Sequence, residues 1–140
     1  MNYLIDTNVI SELVSIKPRE AVVSWFETIP AQALFLSVLT IGEIRKGIEK
    51  IAAVKRKEKL LLWFENDLLK LFEGRVLSVS IEVADRWGRL QHQTKRTLPA
   101  IDSLLAATAL HYDMSLVTRN VSDFSDCPGL VIINPWHHDC

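Results

Sequence analysis

The sequence predicts an α/β domain in which a short, mostly parallel central sheet is covered by helices on both faces. Short, almost continuously apolar segments recur along the chain, as expected of strands that are buried on both sides. They alternate with longer segments in which apolar residues repeat every three or four positions, which is the spacing of helices. A length of 140 residues without repeats or linkers fits one domain, so we expect residues 1–140 to form a single unit.

Five segments have the length and composition of buried strands. The first is Tyr3-Leu4-Ile5, which ends at Asp6. The other four lie at 33–37, 76–79, 116–118 and 130–133. Strands that are joined through helices run parallel, which gives the predicted sheet its direction.

The helices are predicted from their caps and their apolar spacing. Asp6 or Asn8 can cap a helix that runs through Val14, and Ser37 or Thr40 can start a later one. Further helices are predicted at 18–27, 55–72, 80–95 and 99–112, with Gly74 ending the second of these.

The segment 55–72 carries more apolar residues than one helix face needs. A surface helix requires a stripe only about 100° wide, whereas apolar side chains here occupy most of the circumference. Two interpretations remain open: a central core helix, or a helix that also contacts a twin subunit or a partner.

The charge balance excludes a uniformly basic nucleic-acid binder. The chain has 16 Lys and Arg against 17 Asp and Glu, a formal net charge of -1. Bases nevertheless concentrate in segments 45–59 and 86–96, which leaves local surface for phosphates. No apolar run reaches the ~20 residues of a membrane span, and with only two cysteines we expect a cytoplasmic protein with no membrane partner.

Four carboxylates stand in apolar surroundings, where an unpaired charge is costly. These residues are Asp6, Glu43, Asp102 and Asp123. Taken singly, each has an ordinary interpretation as a helix cap, a first-turn acid or a turn residue.

Their joint placement predicts a metal site. Asp6 ends the first strand and Asp123 lies just past a later one, while Glu43 and Asp102 lie early in helices. In open parallel sheets, sites form beyond the carboxyl ends of the strands. Four carboxylates at close range repel one another, and a hard divalent cation relieves that repulsion. An oxygen-only ligand set suits Mg²⁺, with Mn²⁺ as a substitute.

Four segments resemble the sequence motifs of the PIN-domain ribonucleases of the VapC toxin type. They are Leu4-Ile5-Asp6-Thr7-Asn8; Ser37-x-x-Thr40-x-x-Glu43-Ile44-x-x-Gly47; Pro99-x-x-Asp102-x-Leu104-Leu105-Ala106-Ala107-x-Ala109; and Val117-Thr118-Arg119-Asn120-x-x-Asp123-Phe124. Their order and spacing agree across nearly the whole chain. Ile44 stands where Leu is usual, which is a conservative departure.

The resemblance implies a PIN-like fold and a Mg²⁺-dependent endoribonuclease, the toxin of a type II toxin–antitoxin pair. Its acidic quartet falls on Asp6, Glu43, Asp102 and Asp123, with Asp6 and Asp102 the closest metal ligands and the other two direct or through water. It also implies an RNA substrate, a homodimer, and a small antitoxin that binds near the site and the helices of residues 40–72 in a higher assembly.

Other residues are assigned supporting roles. Thr118 and Asn120 match positions that support the site by hydrogen bonds, and Thr7 and Asn8 either do the same or cap the first helix. Arg45, Lys46 and Arg119 are candidate phosphate contacts. The alternatives are a solvated charged face for Arg45 and Lys46, and a structural ion pair with one of the acids for Arg119.

Two other functions remain open. One is a metal-independent ribonuclease that uses His92 or His111 with the RNA 2′-hydroxyl. The other is a non-catalytic PIN-like scaffold that binds RNA or protein. The C-terminal His137-His138-Asp139-Cys140 segment is expected to be a frayed terminus rather than a soft-metal site.

Overall fold

A five-stranded sheet in which every neighbouring pair is parallel forms the centre of the molecule. The computed structural model describes residues 1–137, so most of the C-terminal segment discussed above lies outside the described residues. The strands are β1 Tyr3–Ile5, β2 Leu34–Ser37, β3 Val76–Leu77, β4 Ser115–Val117 and β5 Ile132–Ile133, in the order β3-β2-β1-β4-β5. The predicted fold class is confirmed.

The helices follow the predicted order with small shifts at their ends. They are α1 Thr7–Leu13, α2 Glu20–Glu27, α3 Val38–Glu49, α4 Val54–Leu62, α5 Leu69–Leu71, α6 Ile81–Gln93, α7 Ala100–His111 and α8 Val121–Phe124. A π-helical turn, Trp63–Leu68, joins α4 to α5, and short 3₁₀ turns lie at Ala31–Ala33 and Pro135–His137. Across the described residues, every helix is too short or too polar to span a bilayer.

Several elements differ from the prediction, and one of them is β5, which was expected over 130–133 and begins only at Ile132. The third strand was expected over 76–79 but ends at Leu77, because its neighbour β2 ends at the paired residue Ser37, which caps α3. The short helix α8 was not predicted, since four residues are too few to show a helical repeat.

The sheet separates two hydrophobic layers. Side chains of successive strand residues point to opposite faces. In β1, Ile5 packs in one layer with α1, α2, α3 and the helical segment 54–72, whereas Leu4 packs in the other with α6, α7 and α8. Helices therefore cover both faces of the sheet, as predicted.

The helical segment 54–72 is a core element that also keeps apolar surface exposed. Its buried residues recur at every fourth position: Leu60, Phe64, Leu68 and Phe72. On a regular α-helix, a residue four positions further along is displaced by about 40° around the helix axis. The π turn has more residues per turn and reverses part of this displacement. The four buried side chains therefore stay on one face. Three leucines of the same segment stay exposed: Leu62, Leu69 and Leu71. The core interpretation is confirmed, and the contact with a twin subunit or a partner stays a prediction.

The end of this segment is fixed by a glycine. Gly74 adopts φ +78, a left-handed conformation that costs glycine little. The chain turns there into Arg75, whose guanidinium donates to the carbonyl oxygens of Ala31, Leu34 and Leu71. The predicted helix stop is confirmed, and the turn places β3 beside β2.

Candidate active site

The four candidate carboxylates are carried by elements that begin near the carboxyl ends of the central strands. Asp6 follows β1 and caps α1. Glu43 lies in the second turn of α3, the helix that follows β2. Asp102 is in the first turn of α7, and Asp123 is in α8, shortly after β4.

Asp6 is the buried centre of the group, with 6% of its surface exposed. Its Oδ1 accepts the backbone N–H of Thr7 at 2.7 Å. Its Oδ2 accepts the hydroxyl of Thr118 at 2.8 Å and the side-chain amide of Asn8 at 3.3 Å. Three donors from two neighbouring strand ends therefore hold this carboxylate in one orientation.

A second layer of hydrogen bonds ties β4 to α1. The Thr118 hydroxyl accepts the side-chain amide of Asn8 at 3.2 Å and the backbone N–H of Asn120 at 3.1 Å. The Asn8 side-chain oxygen accepts the backbone N–H of Arg119 at 3.1 Å. Asn120 thus joins this network through its backbone, whereas Asn8 and Thr118 join through their side chains.

Thr7 links the first acid to the second. Its backbone N–H binds Asp6, and its hydroxyl donates to Oε1 of Glu43 at 2.8 Å. The Thr7 side chain therefore orients Glu43 toward Asp6 rather than capping α1, whose cap is Asp6.

The pKa of Asp6 is raised above its usual range. Burial is the main cause, and the charge of Glu43 adds to it. The donors Thr118, Thr7 and Asn8 favour the ionised form and work in the opposite direction. The net result is a carboxylate whose negative charge is only partly compensated by the protein.

The pKa of Asp102 is also raised, and its causes show that the four acids share one electrostatic environment. Burial contributes most, followed by the charges of Asp6, Asp123 and Glu43 in that order. Each of the other three candidate acids therefore lies close enough to Asp102 to disfavour its ionisation.

This oxygen donor set fits a hard divalent cation. Within residues 1–137, no three His, Cys, Asp or Glu side chains converge tightly enough to ligate one ion by themselves. Mg²⁺ does not need such a cage, because it is usually held by one or two carboxylates and keeps several waters. The uncompensated charge at Asp6 and Asp102 is what a cation of this kind would neutralise.

The candidate phosphate contacts differ in how free they are. Arg45 is paired with Glu49 at 2.9 Å and with Glu65 at 3.7 Å, while Lys46 is exposed. Arg119 is exposed as well, and its guanidinium lies 5.0 Å from the ring centroid of Trp136. The alternative ion pair between Arg119 and an acid of the site is not formed among the described residues, because the guanidinium rests on this ring instead.

The two helical histidines occupy different places relative to the acids. His111 is the last residue of α7, nine positions beyond Asp102, which is about 13 Å along a helix. Its ring packs edge-on against Tyr112. His92 is exposed near the end of α6. Their placement gives no support to a histidine-based ribonuclease.

A groove leads away from the acids along α1 and the segment 54–72. It consists of adjoining cavities of about 680, 350 and 270 Å³, and Trp63 of the π turn lines all three. Thr7 and Glu43 line the middle-sized cavity, so the groove reaches the acidic group. Sequence reasoning missed the opposite wall, Leu13 and Val14, because nothing in the pattern of α1 distinguishes groove-lining apolar residues from core ones.

The mutual repulsion of the four acids predicts a pH-dependent gain in stability for Asp102→Asn in EDTA. Folding raises the pKa of Asp102 above its value of 3.8 in the unfolded chain. As pH rises, the unfolded chain therefore loses this proton before the folded protein does. The free energy of unfolding of the wild type falls between pH 3.8 and the folded pKa. We expect the variant to be more stable than the wild type at pH 7, by up to about 1 kcal/mol after solvent screening, and equal to it at pH 3. Urea unfolding at both pH values measures this, and a difference that grows as pH falls would contradict it.

Comparison with known proteins identifies the class of this protein. Residues 3–129 match the PIN domain family, and the chain belongs to that family. A VapC ribonuclease, Y4jK of Sinorhizobium fredii, is 35% identical over 136 residues, which is 95% of this chain and 96% of that protein.

Solved structures agree with this assignment. FitAcB from Neisseria gonorrhoeae superposes with a TM-score of 0.92 at 32% identity over 97% of this chain and 99% of that chain. A toxin–antitoxin complex from Klebsiella pneumoniae has a TM-score of 0.71 at 25% identity over 98% and 100% of the two chains. Within the PIN domain family, the chain is of the VapC toxin type, as its four motifs predict.

Proposed function

We propose that this protein is a Mg²⁺-dependent endoribonuclease, the toxin of a type II toxin–antitoxin pair that acts in the cytoplasm. The observation that carries the proposal is the hydrogen-bond network through Thr7 that holds Asp6 beside Glu43, with Asp102 and Asp123 in the same electrostatic environment. The match to a VapC ribonuclease supports RNA as the substrate.

In this proposal Asp6 and Asp102 hold the metal directly, with Glu43 and Asp123 direct or through water, and Mn²⁺ can replace Mg²⁺. A bound ion would lower the pKa of a coordinated water and neutralise phosphate charge. The protein supplies the orientation: Thr118 and Asn8 fix the Asp6 carboxylate, Asn120 fixes Thr118, and Thr7 aims Glu43. Arg45, Lys46 and Arg119 are proposed to contact the RNA backbone.

Metal removal tests this proposal. We expect purified protein to cut RNA with Mg²⁺, to lose that activity in EDTA, and to regain it when Mg²⁺ or Mn²⁺ is restored in excess. Gel analysis of a labelled RNA measures cleavage, and His92→Ala and His111→Ala serve as controls that keep activity. Full cleavage in EDTA that is lost in either histidine variant would instead establish the histidine mechanism.

The non-catalytic scaffold remains the second candidate, since a PIN-like fold can bind RNA or protein without cutting. It is favoured if RNA binds but is not cleaved under any metal condition.

The partner is proposed to be a small antitoxin that binds along the groove beside the site, in contact with α3 and the segment 54–72. Related solved structures include a toxin–antitoxin complex. Apolar residues line most of the groove cavity of about 680 Å³, and Arg56 and Lys59 outnumber the single acid Asp67 among the described charged residues of that cavity. The groove therefore fits an apolar helix or strand that carries an acidic side chain. A homodimer, and a higher assembly with the antitoxin, complete the proposal.

The exposed leucines of the groove are expected to anchor that partner. Leu62 is 62% exposed and lines the groove cavity of about 680 Å³, and Leu71 is 56% exposed and lines the one of about 270 Å³. We expect Leu62→Gln with Leu71→Gln to weaken the complex at least about tenfold, as measured by titration with the protein encoded by the adjacent gene.

A matched control separates this effect from a general loss of apolar surface. Leu69 is also exposed, at 38%, but lines neither cavity, so Leu69→Gln should bind like the wild type. Equal weakening by both changes would place the partner elsewhere.

A further inference from the structure

We propose that Trp136 is a positioning residue, which holds the guanidinium of Arg119 where it binds an RNA phosphate beside the four carboxylates. This inference rests on the proposed function for its substrate. It goes beyond that function by assigning a role to an aromatic residue outside the acidic site, and by selecting Arg119 among the bases of the chain.

The backbone of Arg119 is fixed to the acidic site. Its N–H donates to the side-chain oxygen of Asn8, whose amide group donates to both Asp6 and Thr118. Arg119 also directly follows Thr118, the main side-chain donor to Asp6. The start of the Arg119 side chain therefore lies one residue from the group that holds the central carboxylate.

The far end of the same side chain is fixed by Trp136. The guanidinium carbon lies 5.0 Å from the centroid of the indole ring. That ring is itself immobilised, because Trp136 is only 7% exposed and its backbone N–H donates to the side-chain oxygen of Asn134. The 3₁₀ turn that carries it packs against α2.

Stacking of this kind orients an arginine without using up its donors. A guanidinium that rests on an aromatic ring is attracted through its face, whereas its five N–H donors lie in its plane. These donors match the paired oxygens of a phosphate. An arginine held in this way is ready to bind phosphate and gives up little side-chain freedom when it does so.

Within residues 1–137, five of the other seven arginines are already engaged with protein groups, the exceptions being Arg19 and Arg86. Arg45 pairs with Glu49 and Glu65, Arg89 with Asp85, and Arg96 with Asp126. Arg56 and Arg75 donate to backbone carbonyl oxygens. Arg119 forms no ion pair with a carboxylate of the described residues, and its guanidinium rests on an indole face. Its charge therefore remains available to a ligand.

Binding of RNA at several salt concentrations tests the role of Arg119. Labelled, unstructured RNA of mixed sequence is titrated in EDTA, where metal-dependent cleavage is absent. We expect Arg119→Gln to bind about tenfold more weakly at low salt, the effect of losing one charge-assisted contact. The slope of log affinity against log salt should fall in magnitude by about 0.7, as for one phosphate contact to a single strand. Arg89→Gln, which removes a base paired with Asp85 on α6, should keep the wild-type slope.

Three changes at Trp136 test its positioning role. Trp136→Phe keeps an aromatic face and should stay within about twofold of the wild type. Trp136→Leu should lose nearly as much affinity as Arg119→Gln, and the double variant should lose no more than Arg119→Gln alone. If Trp136→Leu does not fold, as judged by its thermal melt, Trp136→Met replaces it, because methionine fills the space without an aromatic face.

The outcomes separate this inference from the proposed function. A wild type that binds no RNA in EDTA overturns this inference, whereas the proposed function is decided by the separate test of Mg²⁺-dependent cleavage. An Arg119→Gln variant with wild-type affinity and slope overturns only the role of Arg119. Losses that add in the double variant show that Trp136 acts independently of Arg119, and they overturn its positioning role.

Discussion

Asp102→Asn is expected to reduce Mg²⁺-dependent RNA cleavage at least about a thousandfold, which corresponds to about 4 kcal/mol of transition-state stabilisation. The change keeps the size and shape of the side chain and removes one negative charge from the proposed metal site. Because the charges of Asp6, Asp123 and Glu43 all act on Asp102, the variant also relaxes the repulsion that a cation would relieve. Single-turnover cleavage of a labelled RNA measures the loss.

A conservative control is available at Asp113. This residue is exposed, lies in a turn after α7 and adopts φ 55, a conformation that asparagine tolerates as well as aspartate. Asp113→Asn makes the same chemical change away from the site and should keep wild-type activity. Full activity in Asp102→Asn would exclude this carboxylate from the metal site.

Thr118→Val is expected to lower the free energy of unfolding at pH 7 by about 2–3 kcal/mol, the scale for leaving a buried charged group short of a donor. The change keeps the shape of a fully buried side chain. It removes the hydroxyl that donates to Asp6 and accepts from Asn8 and Asn120. Urea or thermal unfolding in EDTA measures the effect.

The decrease in the free energy of unfolding of Thr118→Val is expected to depend on pH. The Thr118 hydroxyl lowers the pKa of Asp6, so its removal raises that pKa further. The destabilisation should be largest where Asp6 is ionised and should shrink as pH falls and the carboxyl takes up its proton. Thr108→Val is the matched control, because Thr108 is equally buried but donates to the neutral carbonyl oxygen of Leu104. Its loss should not vary with pH, and equal pH profiles for both variants would argue against a special role for Thr118.

Local patterns were enough to predict most of the fold. The strand before Asp6 and the stop at Gly74 follow from short-range chemistry and occur as predicted. Of the two caps predicted as alternatives, Ser37 and Thr40, the structure uses Ser37. The four acids were selected for the same reason, since a carboxylate in an apolar segment is visible without knowing what it contacts.

Contacts between distant segments were beyond this reasoning. Arg45 is paired with Glu65 on another helix, and Arg119 rests on Trp136 rather than on an acid. The pairing in both cases depends on how the helices and strands are arranged in space. The π turn was also invisible, because the same leucines and aromatics are compatible with a regular helix over the whole segment.

The hydrogen bond between Thr118 and Asp6 determines when the acidic site can assemble during synthesis of the chain. The two residues are 112 positions apart, and β1 lies in the sheet between β2 and β4. Asp6 is made early in synthesis. Strand β4, which pairs with β1, and the hydroxyl donor to Asp6 are both missing until residue 118 has left the ribosome. Contacts this distant in sequence are slow to close. The acidic site is therefore among the last parts of the molecule to assemble, which delays any activity until translation is nearly complete.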